Sequence, residues 1–262
     1  MSNRLELYPY YIDGYYCTHI RCTLRLYNDR RKERGGKVDN INIIYILFVS
    51  IFIPIMLLAL LVEKKSRFPI IFMLIGIFVS VFASEVNGYL SQVLPIDRYR
   101  ITVTVTPVTE ELLKALPILY YAIVISDKKE RLFTASMAIG IGFAVLENAF
   151  YLLTSPNFGI ISAIIRAFGS GLMHGMCTLL VGVGISFVKK KNKLFAVGTF
   201  GFLSTAIVYH GIYNILIQSK YSIVGALLPI ATYIPFLIWR FKIKKNQEDT
   251  NVSLKSEKQN LK

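Results

Sequence analysis

Two adjacent carboxylates and a lysine precede a long apolar stretch: Glu110, Glu111 and Lys114 stand before the run 115–126. A charged side chain inside a bilayer costs roughly 2.5–3.5 kcal/mol on insertion scales, so such a cluster predicts a site that faces water or protein. Lys114 follows the glutamates by four and three residues, which places it on the same helix face as both and lets it hold the pair ionised. This set is suited to activating a water molecule.

The residues before the pair predict a helix start. Thr106 is a suitable N-cap, and Pro107 suits the first helical position. The two carboxylates then fall in the first turns, where the helix dipole favours negative charge.

Further polar side chains interrupt later apolar runs. Each is followed four residues on by a second polar side chain, so the two share a helix face. The pairs are Glu147 and Tyr151, His174 and Thr178, and His210 and Asn214. At about 1.5 Å rise per residue, these centres lie at overlapping depths below one membrane surface, with His174 the deepest. Carboxylates and imidazoles at one level on separate helices form a hydrolytic or metal-binding set.

Two mechanisms fit this set. In the first, Glu147, His174 and His210 are ligands of Zn²⁺, and Glu110 or Glu111 is the general base. In the second, no metal takes part: a glutamate and a histidine orient the water, while His210 and Asn214 donate to the oxyanion. The sequence leaves both open.

The composition places these residues in a membrane protein. Of 262 residues, 54% are hydrophobic and 18% are charged, whereas soluble domains are about a quarter charged. The charges crowd into short segments between apolar runs long enough to cross a bilayer. The net charge of +14 is explained by basic loops beside cytoplasmic helix ends, so we expect a lipid bilayer and no nucleic acid as partner.

The expected fold is an all-α polytopic transmembrane bundle with about seven spans. A polar basic tail occupies 1–40, the bundle 41–240 and a charged, disordered tail 241–262. The predicted spans are Ile41–Val62, Pro69–Leu94, Pro107–Ser126, Leu132–Thr154, Gly159–Val188, Leu194–Ile217 and Tyr221–Trp239.

Lysine and arginine bias predicts the orientation. The basic segments 64–67, 127–131, 189–193 and 240–245 alternate with sparsely charged turns, which places the carboxyl terminus in the cytoplasm. The polar centres then lie nearer the outer face. The basic stretch 21–37 argues against this orientation, and we follow the four concordant loops.

The motifs together resemble the PrsW family of intramembrane metalloproteases, which is related to the CAAX prenyl protease and bacteriocin-processing superfamily. They are Glu110-Glu111-x-x-Lys114, Gly142-Phe143-x-x-x-Glu147-Asn148-x-x-Tyr151, His174 and His210-x-x-x-Asn214. The resemblance covers roughly 41–240. It implies active-site positions at Glu110, Glu111, Glu147, His174 and His210, with Asn214 where some members carry aspartate.

The resemblance also implies a function. The founding member makes the first cut in an anti-sigma factor, at the outer side of a bacterial cytoplasmic membrane. We therefore expect an intramembrane endopeptidase that acts on a membrane-anchored protein, with an anti-sigma factor as one such substrate. The alternatives are a bacteriocin immunity or maturation protein of the same superfamily, a catalytically silent scaffold, and a non-enzymatic cation or proton transporter.

Overall fold

The computed structural model describes residues 43–154, 160–187, 192–235 and 238. Both predicted tails, 1–40 and 241–262, lie outside these residues. The turn at 155–159 and most of the basic segment 189–193 lie outside them as well.

Within these ranges the chain is helical and contains no strand, as the apolar sequence predicts. A helix suits an apolar run because it satisfies all backbone hydrogen bonds within the segment, which hydrocarbon cannot do. The main helices are α1 (Ile43–Leu61), α2 (Lys64–Val93), α3 (Thr106–Tyr120), α4 (Lys129–Thr154), α5 (Ile160–Ile185), α6 (Asn192–Ile217) and α7 (Ser222–Pro235).

Four helical segments of the described chain are long enough and apolar enough to cross a membrane. They are Lys64–Val93, Lys129–Leu152, Ala163–Ile185 and Val197–Ile217. Two shorter apolar helical segments among the described residues are Phe48–Leu61, within α1, and Ser222–Pro235, which is α7. The structure therefore confirms a helical membrane bundle, while a count of seven spans stays a prediction.

The helix that carries the glutamate pair begins earlier than predicted. A helical turn at Arg98–Arg100 leads into a π-helical segment, Ile101–Val105, which continues directly into α3. The backbone N–H of Thr106 already donates to the carbonyl of Ile101, so the predicted N-cap at Thr106 is wrong. Asp97 has that role instead, because its carboxylate accepts from the Arg100 N–H at 3.0 Å.

Close packing of α4 against α2 and α5 sets the geometry of the site. Gly140 of α4 lies directly against the backbone of His174 on α5, and Gly142 lies against the backbone of Met73 on α2. Small residues let transmembrane backbones approach in this way. Gly140 is therefore level with His174, and Glu147, about two turns further along α4, reaches the His174 ring with its carboxylate.

Candidate metal and catalytic site

Lys114 lies at the centre of the buried polar cluster. Its Nζ is 2.7 Å from Glu111 Oε1 and 2.9 Å from His174 Nδ1, and it lies 4.4 Å from the centroid of the Phe143 ring. The side chains of Lys114 and Glu111 are both fully buried. An ammonium group has only donors, so His174 Nδ1 accepts this hydrogen bond. The proton of a neutral His174 is therefore on Nε2.

The other side of the His174 ring faces α4. Its Nε2 lies 2.8 Å from Glu147 Oε2, so it donates to that carboxylate. The same oxygen of Glu147 accepts from the Ser170 hydroxyl at 3.2 Å. The Glu147 side chain keeps 22% of its surface exposed, which leaves it accessible from outside the cluster.

His210 brings α6 to the same cluster. Its Nδ1 lies 2.9 Å from Glu111 Oε1, and its ring centroid lies 4.9 Å from that of His174. A carboxylate that accepts from one ring nitrogen fixes the tautomer and leaves the other nitrogen as an acceptor, as in many metal sites. The nitrogen left over, Nε2, lies 3.9 Å from Glu110 Oε2.

The two adjacent glutamates have different environments. Glu111 is fully buried and holds Lys114 and His210. Both glutamates have an Oε2 that is buried with no hydrogen-bond partner among the described residues, but of the two it is Glu110 that lines a cavity. Its other oxygen accepts a long hydrogen bond from Asn87 Nδ2 at 3.4 Å. Glu110 can therefore act on a ligand, whereas Glu111 positions other side chains.

One group of described residues could hold a metal ion: Glu110, His174 and His210, whose ligand atoms lie within 4.8 Å of one another. The unpartnered oxygen of Glu110 and the free Nε2 of His210 suit a cation. The sequence pattern predicts Glu147 as a ligand in place of Glu110. In the structure Glu147 lies behind His174 as its hydrogen-bond acceptor, and its assignment as a ligand stays a prediction.

A cavity of about 250 Å³ adjoins this group. Glu110 and Glu147 form part of its wall, and Ser91, Arg98 and Gln218 line it where α2 and α6 end. Burial lowers the pKa of Arg98 to about 10, so Arg98 stays cationic at neutral pH. The carboxylates are thus reached from one end of the bundle.

Asn214 also lines the cavity, but its side chain is engaged. Its Nδ2 donates to the backbone carbonyl of Thr102 at 3.0 Å, within the π-helical segment. Such segments often occur at functional sites because they disturb the helical hydrogen-bond ladder. In this arrangement Asn214 ties α6 to the segment before α3, and its predicted part in an oxyanion hole stays a prediction.

Three residues at the site were not assigned there by the sequence analysis. Asn87 contacts Glu110, Ser170 contacts Glu147, and Phe143 packs its ring 4.9 Å from that of His174. Asn87 and Ser170 are polar residues within apolar runs, and that is the signal that could have found them. Phe143 gives no such signal, because apolar residues are the rule in a membrane helix, and its place in the motif Gly142-Phe143-x-x-x-Glu147 is what marks it.

The family model described as PrsW family intramembrane metalloprotease matches residues 64–240. The chain belongs to this family. No curated protein and no solved structure matches the chain. The match spans all the motif residues, from Glu110 to Asn214, and confirms the resemblance drawn from them. PrsW membership gives the general class, a protease embedded in a membrane that acts on a membrane protein.

The metalloprotease description of the PrsW family agrees with the geometry of the cluster. Glu110, His174 and His210 offer one oxygen and two nitrogens from three different helices. Donor sets of this kind hold catalytic metal ions in hydrolases.

Proposed function

We propose that this PrsW-family protein is an endopeptidase of the bacterial cytoplasmic membrane that cuts a membrane-anchored protein. The observation that carries the proposal is a buried glutamate and histidine cluster that adjoins an accessible cavity. Family membership supports the reaction class. The cavity supports access for a peptide, because Glu110 and Glu147 both line it.

We propose zinc as the metal, held by Glu110 and by the Nε2 atoms of His174 and His210. Nitrogen and oxygen donors with one open position are the pattern of catalytic zinc sites. When bound, zinc polarises a carbonyl group and lowers the pKa of a water molecule. Glu110 then has the ligand role that the sequence analysis gives to Glu147.

The ligand role requires a proton to leave His174. A ligating nitrogen is deprotonated, so the Nε2 proton, which lies in the 2.8 Å hydrogen bond to Glu147, would be released to solvent on metal binding and Glu147 would stay a carboxylate. The ring would stay neutral because the Lys114 ammonium, whose Nζ lies 2.9 Å from Nδ1, would transfer a proton to that nitrogen. The two contacts therefore set the protonation state of His174 from both sides.

Glu147 is then the general base and the general acid. Its carboxylate takes a proton from the attacking water as the water oxygen bonds to the carbonyl carbon. It returns that proton to the amide nitrogen when the carbon–nitrogen bond breaks. Glu111 and Lys114 are positioning residues, because they hold His210 and His174 without lining the cavity.

A metal-free mechanism is the second candidate, since the observed hydrogen bonds already assemble its parts. His174 Nε2 donates to Glu147 in the structure, and this pair can bind and orient a water molecule directly. The two candidates differ in whether Glu110 and His210 bind a metal ion or only shape the cavity.

We further propose that cleavage occurs at the outer face of the membrane. The cavity opens where α2 and α6 end, and the predicted orientation places this end outside and the carboxyl terminus in the cytoplasm. An anti-sigma factor with a single span is the substrate that the family resemblance suggests. The resemblance covers the bundle, 41–240, and leaves the two tails without an assigned role.

The test uses the full-length protein in lipid nanodiscs with a single-span protein substrate. We expect cleavage by the native protein and loss of cleavage in Glu147→Gln and His210→Ala. Glu130→Gln makes the same change of charge at an exposed position of α4 and should retain full activity. Ion flux that depends on Glu147, without any cleavage, would favour a transporter instead.

A further inference from the structure

The cavity beside the carboxylates is also lined by cationic side chains. Arg98 and Arg166 line it together with Glu110 and Glu147. Its volume of about 250 Å³ lies below the roughly 300–1,000 Å³ of pockets that bury a drug-sized ligand. The space suits one or two amino-acid side chains, and its wall carries both carboxylate and guanidinium groups.

Arg166 packs against an aromatic ring, and at least one of its N–H donors has no hydrogen-bond acceptor among the described residues. Its guanidinium carbon lies 3.6 Å from the centroid of the Tyr151 ring, and its Nε is buried without a hydrogen-bond partner among the described residues. A guanidinium stacked on an aromatic ring has a fixed plane, and it presents paired donors to a carboxylate. Arg166 therefore has both the charge and the geometry to bind an anion.

Two neighbours add to this side of the cavity. The Tyr213 hydroxyl is buried without a partner among the described residues, and Arg98 is half-buried and cationic. The ion pairs within 4 Å in the described part of the chain include neither Arg98 nor Arg166. Buried donors that lack a partner are costly, so a ligand that supplies acceptors would be favoured here.

We propose that Arg166, Tyr213 and Arg98 form a subsite for an acidic side chain of the substrate, close to the peptide bond that is cut. This inference rests on the proposed peptidase function and adds a specificity to it. One carboxylate on a peptide fits better than a phosphate, because Glu110 and Glu147 line the same cavity and repel a second negative charge. The scissile bond then lies at the carboxylates, within a residue or two of the acidic side chain.

The first experiment compares single-span substrates that carry glutamate or glutamine at each position flanking the cleaved bond. We expect one position at which glutamate raises kcat/KM by at least about tenfold, the effect of one or two charge-assisted hydrogen bonds. Arg166→Gln should abolish this preference, so that kcat/KM becomes the same for the glutamate and the glutamine substrate. Equal loss for both substrates would show that Arg166 is only structural, and it would overturn the subsite.

Arg131→Gln is the matched control. Arg131 is also an arginine beside an aromatic ring, 5.6 Å from the centroid of Phe68, but it is exposed and does not line the cavity. The glutamate preference should survive in this variant. Arg166→Lys keeps the charge without the planar fork, so it should retain only part of the preference.

The second experiment measures binding without cleavage, so that the two proposals can fail separately. Two fluorescent pentapeptides that differ only by glutamate or glutamine are titrated against the native protein and Arg166→Gln. Tighter binding of the glutamate peptide that depends on Arg166, with no cleavage of any substrate, would support the subsite and reject the peptidase. Cleavage without discrimination in either experiment would reject the subsite alone.

A lipid is the other possible occupant, and it is an outcome of the same assay. Binding is repeated in nanodiscs with and without phosphatidylglycerol. If Arg166 binds phosphatidylglycerol while the peptides show no discrimination, the cavity is a site for lipid headgroups and the proposal is wrong.

Discussion

Lys114 Nζ lies 2.9 Å from His174 Nδ1, and this contact joins α3 to α5 inside the membrane bundle. The same ammonium lies 2.7 Å from Glu111 Oε1, which in turn lies 2.9 Å from His210 Nδ1 on α6. One buried cation therefore connects three helices and orients both imidazole rings. The chemistry of the cluster depends on a residue that does not line the cavity.

Replacing Lys114 with methionine should destabilise the protein and abolish cleavage. Removal of one partner from a buried ion pair leaves an uncompensated charge, here on Glu111, and costs about 3–5 kcal/mol. The loss is measured by thermal unfolding in detergent and by the nanodisc assay. Lys129→Met removes the same charge from an exposed position at the start of α4 and should change neither.

A second substitution separates the charge effect from a packing effect. Glu111→Gln in the Lys114→Met background removes the orphaned charge, so stability should partly return while activity does not. If Lys114→Met alone has the same unfolding temperature as the native protein, the 2.7 Å pair between Lys114 and Glu111 does not stabilise the bundle.

Metal content should distinguish the two carboxylates that line the cavity. We expect Glu110→Gln to lose bound zinc and activity together, because Glu110 supplies a ligand atom in the proposed site. Glu147→Gln should keep the zinc and lose activity, because its carboxylate acts as the base. Elemental analysis of purified protein measures the metal, with exposed Glu130→Gln as the control.

The opposite result has an equally clear meaning. Zinc lost in Glu147→Gln and kept in Glu110→Gln would support the ligand set Glu147, His174 and His210 that the sequence analysis proposed. The metal-free mechanism would be supported if the native protein is fully active without bound metal and is not inhibited by a chelator.

The sequence predicts the membership of the cluster better than its internal arrangement. Charged and imidazole side chains are so costly in lipid that Glu147, His174 and His210 must meet other polar groups, whatever the helix packing. The sequence does not predict which of Glu110 and Glu111 faces the cavity. Neighbouring residues point about 100° apart on a helix, so a rotation of α3 by about that angle would exchange which of them faces the cavity.

That rotation is set by features that local sequence rules do not reveal. The π-helical segment Ile101–Val105 fixes the phase of α3, yet Thr106-Pro107 has the sequence of an ordinary helix start. Asn214 could have bonded to many partners, and only the packed structure shows that it contacts the Thr102 carbonyl.

Replacing Asn214 with alanine should loosen the π-helical segment. The variant loses the 3.0 Å hydrogen bond to the Thr102 carbonyl, which contributes about 1 kcal/mol. Hydrogen exchange of the amides at 101–105 should become faster, with a moderate loss of activity. Gln218→Ala, which removes an exposed side chain just beyond the end of α6, should leave this exchange unchanged. A large fall in kcat without faster exchange would instead support the predicted oxyanion role.

Replacing Gly140 with alanine should impair the site without touching any polar residue. A Cβ at Gly140 would collide with the backbone of His174 and Gly175, so α4 and α5 must move apart. Overpacking of this kind costs about 1–3 kcal/mol, and it lengthens the contact between His174 and Glu147. The matched control is Gly171→Ala on α5.

A Cβ at Gly171 meets no atom within 4 Å. Since alanine favours a helix more than glycine does, Gly171→Ala should keep or slightly raise the unfolding temperature. Equal activity in the two variants would mean that the spacing of α4 and α5 does not limit catalysis.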